Sequence, residues 1–167
     1  CGGSIGGNGG KKSSVGSDGG EDTGEEDCCE GSYLILGPPG TGKSVMALYR
    51  AVQFIKDGRD VVLLTYSRLL QDYMSQVIET NLGISPDKYV KTYHQWATYD
   101  LWRGIMGRDG MPPHNGEDKF DINWDAILNE LDDLKTLPID LIVDEGQDLP
   151  KEFYGVAREL FNTRTVF

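Results

Sequence analysis

The stretch Tyr33-Leu34-Ile35-Leu36-Gly37-Pro38-Pro39-Gly40-Thr41-Gly42-Lys43-Ser44 decides how the chain is read. A short apolar run, which predicts a buried strand over 33–36, ends in the pattern G-x-x-x-x-G-K-[ST]. Residues 43–56 follow with Val45, Leu48, Val52 and Ile55 at helical spacing. Strand, glycine-rich loop and helix in that order form a phosphate cradle. The glycines let the backbone curl so that successive N–H groups point inward. The helix adds its free N–H groups and partial positive charge. Gly37, Pro38, Pro39, Gly40, Thr41, Gly42, Lys43 and Ser44 are therefore expected to bind the phosphates of a nucleotide. Lys43 would neutralise the β and γ oxygens, and the Ser44 hydroxyl would ligate Mg²⁺.

Outward from this loop, Asp57-Gly58 stops the helix and Val61–Thr65 reads as a second buried strand. Residues 68–80 carry Leu69, Leu70, Tyr73, Val77 and Ile78 on one helical side. A third strand is expected over 89–92, then a helix from about 94 to 102. Gly, Pro, Asp and Asn mark 104–119 as a loop. Trp124, Ile127, Leu128, Leu131 and Leu134 predict an amphipathic helix over 123–135. Residues 139–143 read as a strand, Pro150 as starting a helix near its first position, and Thr165-Val166-Phe167 as the start of another strand. Strands alternating with helices predict an α/β fold: a three-layer parallel sheet with helices on both faces. Trp96, Trp102 and Trp124, at helical spacings, are expected in its core.

Residues 1–31 have a different composition. They hold 11 of the 22 glycines, all three cysteines, and two lysines against seven acids, with only Ile5 and Val15 as aliphatic residues. So little apolar surface cannot offset ordering entropy, and a disordered tail or linker is expected there. The remainder, 32–167, reads as one domain. Cys28-Cys29 gives no C-x-x-C, and His94 and His114 stand apart, so neither a disulfide framework nor a zinc site is expected. No charged-then-apolar leader precedes residue 30, and no apolar run is long enough to span a bilayer. A cytoplasmic location is expected, or nucleoid or nuclear if the protein is bound to DNA. The formal charge of −11 argues against general electrostatic attraction to nucleic acid or to an anionic membrane. A single-strand track of backbone groups, hydroxyls and stacked rings does not need a basic domain.

Leu141-Ile142-Val143-Asp144-Glu145 places two carboxylates where an apolar strand stops. In parallel α/β sheets ligands bind beyond the carboxyl ends of strands. Asp144 is then expected to hold Mg²⁺, and Glu145 to polarise the water that attacks the γ-phosphate. A solvated strand end is the plainer reading. The phosphate loop in the same chain favours the chemical one.

The wider string Asp144-Glu145-Gly146-Gln147-Asp148 resembles the D-E-x-Q-D motif of UvrD/Rep/PcrA-like superfamily 1 helicases. Two further segments are similar to family motifs, in the same order. Leu63-Leu64-Thr65-Tyr66-Ser67-Arg68-Leu69-Leu70 resembles the segment after the second strand that touches single-stranded DNA. Lys91-Thr92-Tyr93-His94-Gln95-Trp96 resembles the T-F-H segment, which also lines the DNA path. The resemblance covers about 32–167 and implies the first RecA-like ATPase domain, a P-loop NTPase that uses ATP and Mg²⁺. It implies catalytic roles for Lys43, Glu145 and Gln147, the last coupling nucleotide state to DNA contacts. It implies single-stranded DNA contacts at Thr65, Tyr66, Ser67, Arg68, Thr92, Tyr93 and His94.

The chain also departs from the family pattern. No Gln precedes Gln53, where the family has an adenine-reading glutamine upstream of the phosphate loop. The family's helical insertion is reduced to about 97–138. The resemblance also implies a C-terminal second RecA-like domain that supplies arginines to the transferring charge. The strand from about 165 would then be a central one, and the chain is expected to be a truncated fragment. Alone it is expected to bind Mg²⁺–nucleotide weakly, with negligible turnover. Two other readings stay open: a nucleotide-dependent switch without motor activity, and a protein-remodelling ATPase, since AAA-type enzymes share the phosphate-loop octapeptide.

Overall fold

The computed structural model describes residues 33–131 and 136–161, and the backbone of 165–166. The expected tail at 1–31, the end of the expected helix at 132–135 and the last expected strand residue, 167, lie outside the described residues.

The fold is α/β. Strands β1 (Val61–Thr65), β2 (Val90–Thr92), β3 (Asp140–Val143) and β4 (Thr165–Val166) form one sheet in the order β2-β1-β3-β4. Each neighbouring pair is parallel. Helix α1 (Lys43–Lys56) precedes β1, and α2 (Arg68–Leu82) connects β1 to β2. A three-residue turn of α-helix, α3 (Tyr93–Gln95), runs straight into a π-helix (Trp96–Ile105). Two further helices follow, α4 (Trp124–Leu128) and α5 (Lys151–Leu160).

Strand side chains alternate between faces, and both faces of this sheet are covered. Val61, Leu63, Val90 and Ile142 pack against Leu48, Ala51 and Phe54 of α1 and Met74 and Ile78 of α2. Val62, Leu64, Leu141 and Val143 face Trp96, Leu101, Trp124, Ile127, Phe153 and Leu160. Burying a large apolar side chain stabilises the fold by about 1.5–3 kcal/mol, so these two clusters hold the layers together. At the start of the strands Arg59 bonds Asp140 at 2.5 Å and stacks over Phe54, its guanidinium 3.7 Å from the ring centre.

The expected helix over 43–56 and the expected strand at 61–65 form with those bounds. Four other expectations need correction. Residues 33–36 are not a buried strand: Tyr33 makes a single bridge, and Leu34 and Leu36 are 67% and 82% exposed. A strand needs a lateral partner. Among the described residues β1 and β3 are paired on both sides, and β4 shows a ladder of two residues. The segment expected as an α-helix from 94 to 102 is mainly π-helix. Its wider turn brings Trp96 with Leu101, and Ala97 with Trp102, onto one buried side at five-residue spacing. The amphipathic helix expected over 123–135 stops at Leu128, because Glu130 N and Leu131 N bond three residues back and tighten the chain into turns. β2 begins at Val90 rather than 89, while Pro150 stands at the N-cap of α5, next to the expected helix start. No helix among the described residues is long and apolar enough to cross a membrane.

Candidate active site

Because all strands are parallel, their carboxyl ends share one rim. Thr65 is in register with Thr92, Leu64 with Val143, and the Asp144 N–H donates to Leu64 O at 2.8 Å. The segments singled out at 65–68, 92–94 and 144–147 therefore emerge side by side.

The phosphate loop meets this rim from the α1 side. Gly40 and Gly42 adopt φ of +79° and +84°, a left-handed backbone that a Cβ would disfavour. Thr41 Oγ1 donates to Pro38 O at 2.8 Å, closing the loop. Lys43 Nζ reaches back across it to Gly37 O at 3.0 Å and Pro38 O at 3.2 Å, so the ammonium sits at the loop's mouth. Gly42 caps α1 with no side chain over the helix end, and the first-turn N–H groups face outward from a fourteen-residue helix.

Asp144 is 3% exposed. Burial is the largest influence on its carboxyl and pushes its pKa above the ordinary carboxylate range. The charge of Glu145 adds to this. The nearby Ser44 hydroxyl and the Lys43 charge oppose it. Asp144 Oδ2 is buried with no hydrogen-bond partner. The other orphaned oxygen among the described residues, Asp100 Oδ2, belongs to a carboxylate whose Oδ1 already bonds Lys91 at 2.5 Å. Asp144 has no such cation bonded to it. An unpaired buried carboxylate oxygen costs free energy, and beside a hydroxyl it is the donor set a hard divalent cation takes. No group of three or more His, Cys, Asp or Glu side chains among the described residues is placed to hold a metal. A cation at Ser44 and Asp144 would draw its remaining oxygens from phosphate and water, as Mg²⁺ does in nucleotide sites.

Glu145 is the one described residue other than glycine at positive φ, +55°. Such a backbone costs of order 1–3 kcal/mol unless its surroundings hold it. They do so here: Gln147 Nε2 donates to Glu145 Oε2, and the Tyr154 hydroxyl donates to Gly146 O at 2.5 Å. A groove of about 980 Å³ opens beside these residues. Lys43, Asp144, Glu145 and Gln147 form its polar end, and Leu34, Leu36, Val45, Met46 and Tyr49 its apolar walls.

The expected DNA-facing residues divide in two. Tyr66, Ser67 and Arg68 are exposed, and His94 is half-buried with Nε2 3.2 Å from Phe120 O. Thr65, Thr92 and Tyr93 are buried. Thr65 Oγ1 accepts from Ser67 N, and Thr92 forms a capping box with Gln95. The Tyr93 hydroxyl accepts from Trp124 Nε1, and burial raises its pKa far above the usual phenol value. The rings of Tyr66, His94 and Phe120 follow one another at 5.7 and 5.6 Å.

Sequence reasoning missed Tyr154 and Phe120. Phe120 lies in a loop with no periodicity to mark it. Tyr154 left an indirect signal, Gly146 inside the acidic motif, where a Cβ would come 2.7 Å from the Tyr154 hydroxyl.

No protein-family model, curated protein or solved structure matches this chain.

Proposed function

We propose that this chain is the ATP-binding and hydrolysing lobe of an ATP-dependent helicase or translocase that contacts single-stranded DNA. The observation that carries the reading is the meeting of Ser44, at the start of α1, with the orphaned carboxylate of Asp144 at the end of β3, with the Lys43 ammonium in the adjacent loop. In this P-loop, RecA-like reading Gly37 to Gly42 wrap the phosphates with backbone N–H groups, and Lys43 neutralises the terminal oxygens. Ser44 and Asp144 would hold Mg²⁺, whose chemistry is to offset the charge that develops on the β- and γ-phosphates.

Glu145 is the general base that orients and deprotonates the attacking water. Gln147 fixes its carboxylate through the hydrogen bond that its side-chain amide donates. Tyr66, Ser67, Arg68 and His94 are the members of the DNA set with surface to offer, and Tyr66, half exposed, is the stacking platform. Thr65, Thr92 and Tyr93 support that surface from behind.

ATP turnover by a polypeptide carrying both lobes, with and without an unstructured oligonucleotide, tests the reading. We expect Mg²⁺-dependent phosphate release, stimulated by single strands and lost in Lys43→Ala and Glu145→Gln. Turnover indifferent to DNA favours a switch or protein-remodelling ATPase. Full turnover in Glu145→Gln removes the general-base assignment.

A further inference from the structure

The turn that carries Glu145 is held from behind by a residue outside every motif. Tyr154 lies on α5, one position after the fully buried Phe153, whose ring it meets edge-on at 5.3 Å. This anchors the half-buried Tyr154 ring against the core, while the hydroxyl reaches the acidic turn and donates to Gly146 O at 2.5 Å. A Cβ at 146 would come 2.7 Å from that hydroxyl, so any larger residue there would push the Tyr154 ring aside. On either side of Gly146 the chain does costly things. Glu145 takes a left-handed backbone, and the Gln147 amide bonds the Glu145 carboxylate. Two backbone bonds close the turn: Asp148 N to Glu145 O at 2.9 Å and Leu149 N to Gly146 O at 3.2 Å. Gly146 O thus accepts from Tyr154 and from Leu149 at once.

We propose that Tyr154 is a positioning residue for Glu145: its hydroxyl pins Gly146 O, which keeps Glu145 left-handed and lets Gln147 fix the Glu145 carboxylate at the polar end of the groove. The chemical meaning of that placement rests on the proposed hydrolytic reading. The placement itself rests on geometry. A left-handed glutamate relaxes toward the right-handed or extended region when nothing opposes it. A swing of one backbone dihedral would carry the carboxylate away from Gln147.

The test uses NMR on the whole chain and its Tyr154→Phe variant, which keeps the ring and its packing. In Tyr154→Phe we expect exchange of the Asp148 and Leu149 amides to rise at least about tenfold, by the loss of one anchoring hydrogen bond. The Gln147 side-chain amide resonances should move toward those of a solvated glutamine, while β3 amides stay protected. Unchanged turn amides and an unchanged Gln147 signal would overturn the proposal.

Gly146→Ala supplies a second readout. It should lower Tm in the parent and lower it much less in the Tyr154→Phe background, where the opposing oxygen is gone. Equal loss in both backgrounds would also contradict the close approach. Mg²⁺–ATP affinity, measured on the same samples, separates the two claims. Tyr154→Phe should leave it within about twofold, because the phosphate loop is held by its own bonds, from Thr41 to Pro38 and from Lys43 to Gly37 and Pro38. If the parent binds no nucleotide, the functional reading fails, and the Tyr154 anchor is still judged on the turn amides and the Gln147 signal.

Discussion

Residues 33–36 and β3 carry the same kind of signal, a short apolar run ending in a motif that bears chemistry, yet they fold differently. β3 lies between β1 and β4, its four residues are buried, and it delivers Asp144 to the rim. Residues 33–36 stay largely exposed and line the apolar side of the groove. Residues 33–36 are no less apolar than β3, which begins with Asp140, and what differs is the strand ladder on each side. An apolar run becomes a strand when a neighbour supplies N–H and C=O groups in register. The phosphate loop nonetheless keeps its shape without a strand before it. Its geometry comes from within, through the Thr41 and Lys43 bonds and the two left-handed glycines.

The comparison can be broken by stability measurements. Ile142→Ala in β3 removes a fully buried side chain and should cost about 2–5 kcal/mol in urea unfolding. Leu36→Ala should stay within about 0.5 kcal/mol. Equal costs would mean that 33–36 is as well packed as β3. The rim just beyond β2 gives a smaller effect. Tyr93→Phe leaves the buried Trp124 N–H without its acceptor and should cost about 1–3 kcal/mol, with the fold kept by far-ultraviolet dichroism.

The smallest expected effect has the opposite sign. The native pKa of Asp144 is raised above its ordinary value of 3.8. Between the two values the native state binds more protons than the unfolded chain. Stability is therefore greatest below the unfolded pKa and falls as pH rises through the native one. Asp144→Asn removes that loss. It should raise Tm at pH 7, with the gain fading as the pH is brought below about 4. A lower Tm at pH 7 would mean that the carboxylate is satisfied in a way its buried, unpartnered Oδ2 does not suggest.

Much of the layout was legible in the sequence. Val45, Leu48, Val52 and Ile55 gave α1 its bounds, Asp57-Gly58 its stop, and Val61–Thr65 the central strand, because local periodicity and punctuation agree with the tertiary fold there. The candidate residues stand out in the sequence where one segment carries them together, as at 37–44 and at Asp144-Glu145. The site was illegible where it depends on meetings across the chain. Periodicity does not reveal that Tyr154 reaches Gly146, that Tyr93 turns inward to Trp124, or that 33–36 makes a single bridge in place of a strand ladder. The π-helix was missed for a related reason. Trp96 and Leu101 stand five apart, off a single α-helical face, and only core packing shows that a wider turn brings them together.

The central claim is that the loop around Lys43 and the pair Ser44–Asp144 form one Mg²⁺–nucleotide site. Isothermal titration of ATP into the chain, with Mg²⁺ and with chelator, tests it most directly, using Lys43→Ala as the control. The account predicts saturable binding with one site per chain, weakened at least about tenfold without Mg²⁺ and again in Lys43→Ala, each tenfold corresponding to about 1.4 kcal/mol. Binding that ignores both Mg²⁺ and Lys43, or no binding at millimolar ATP, would contradict it.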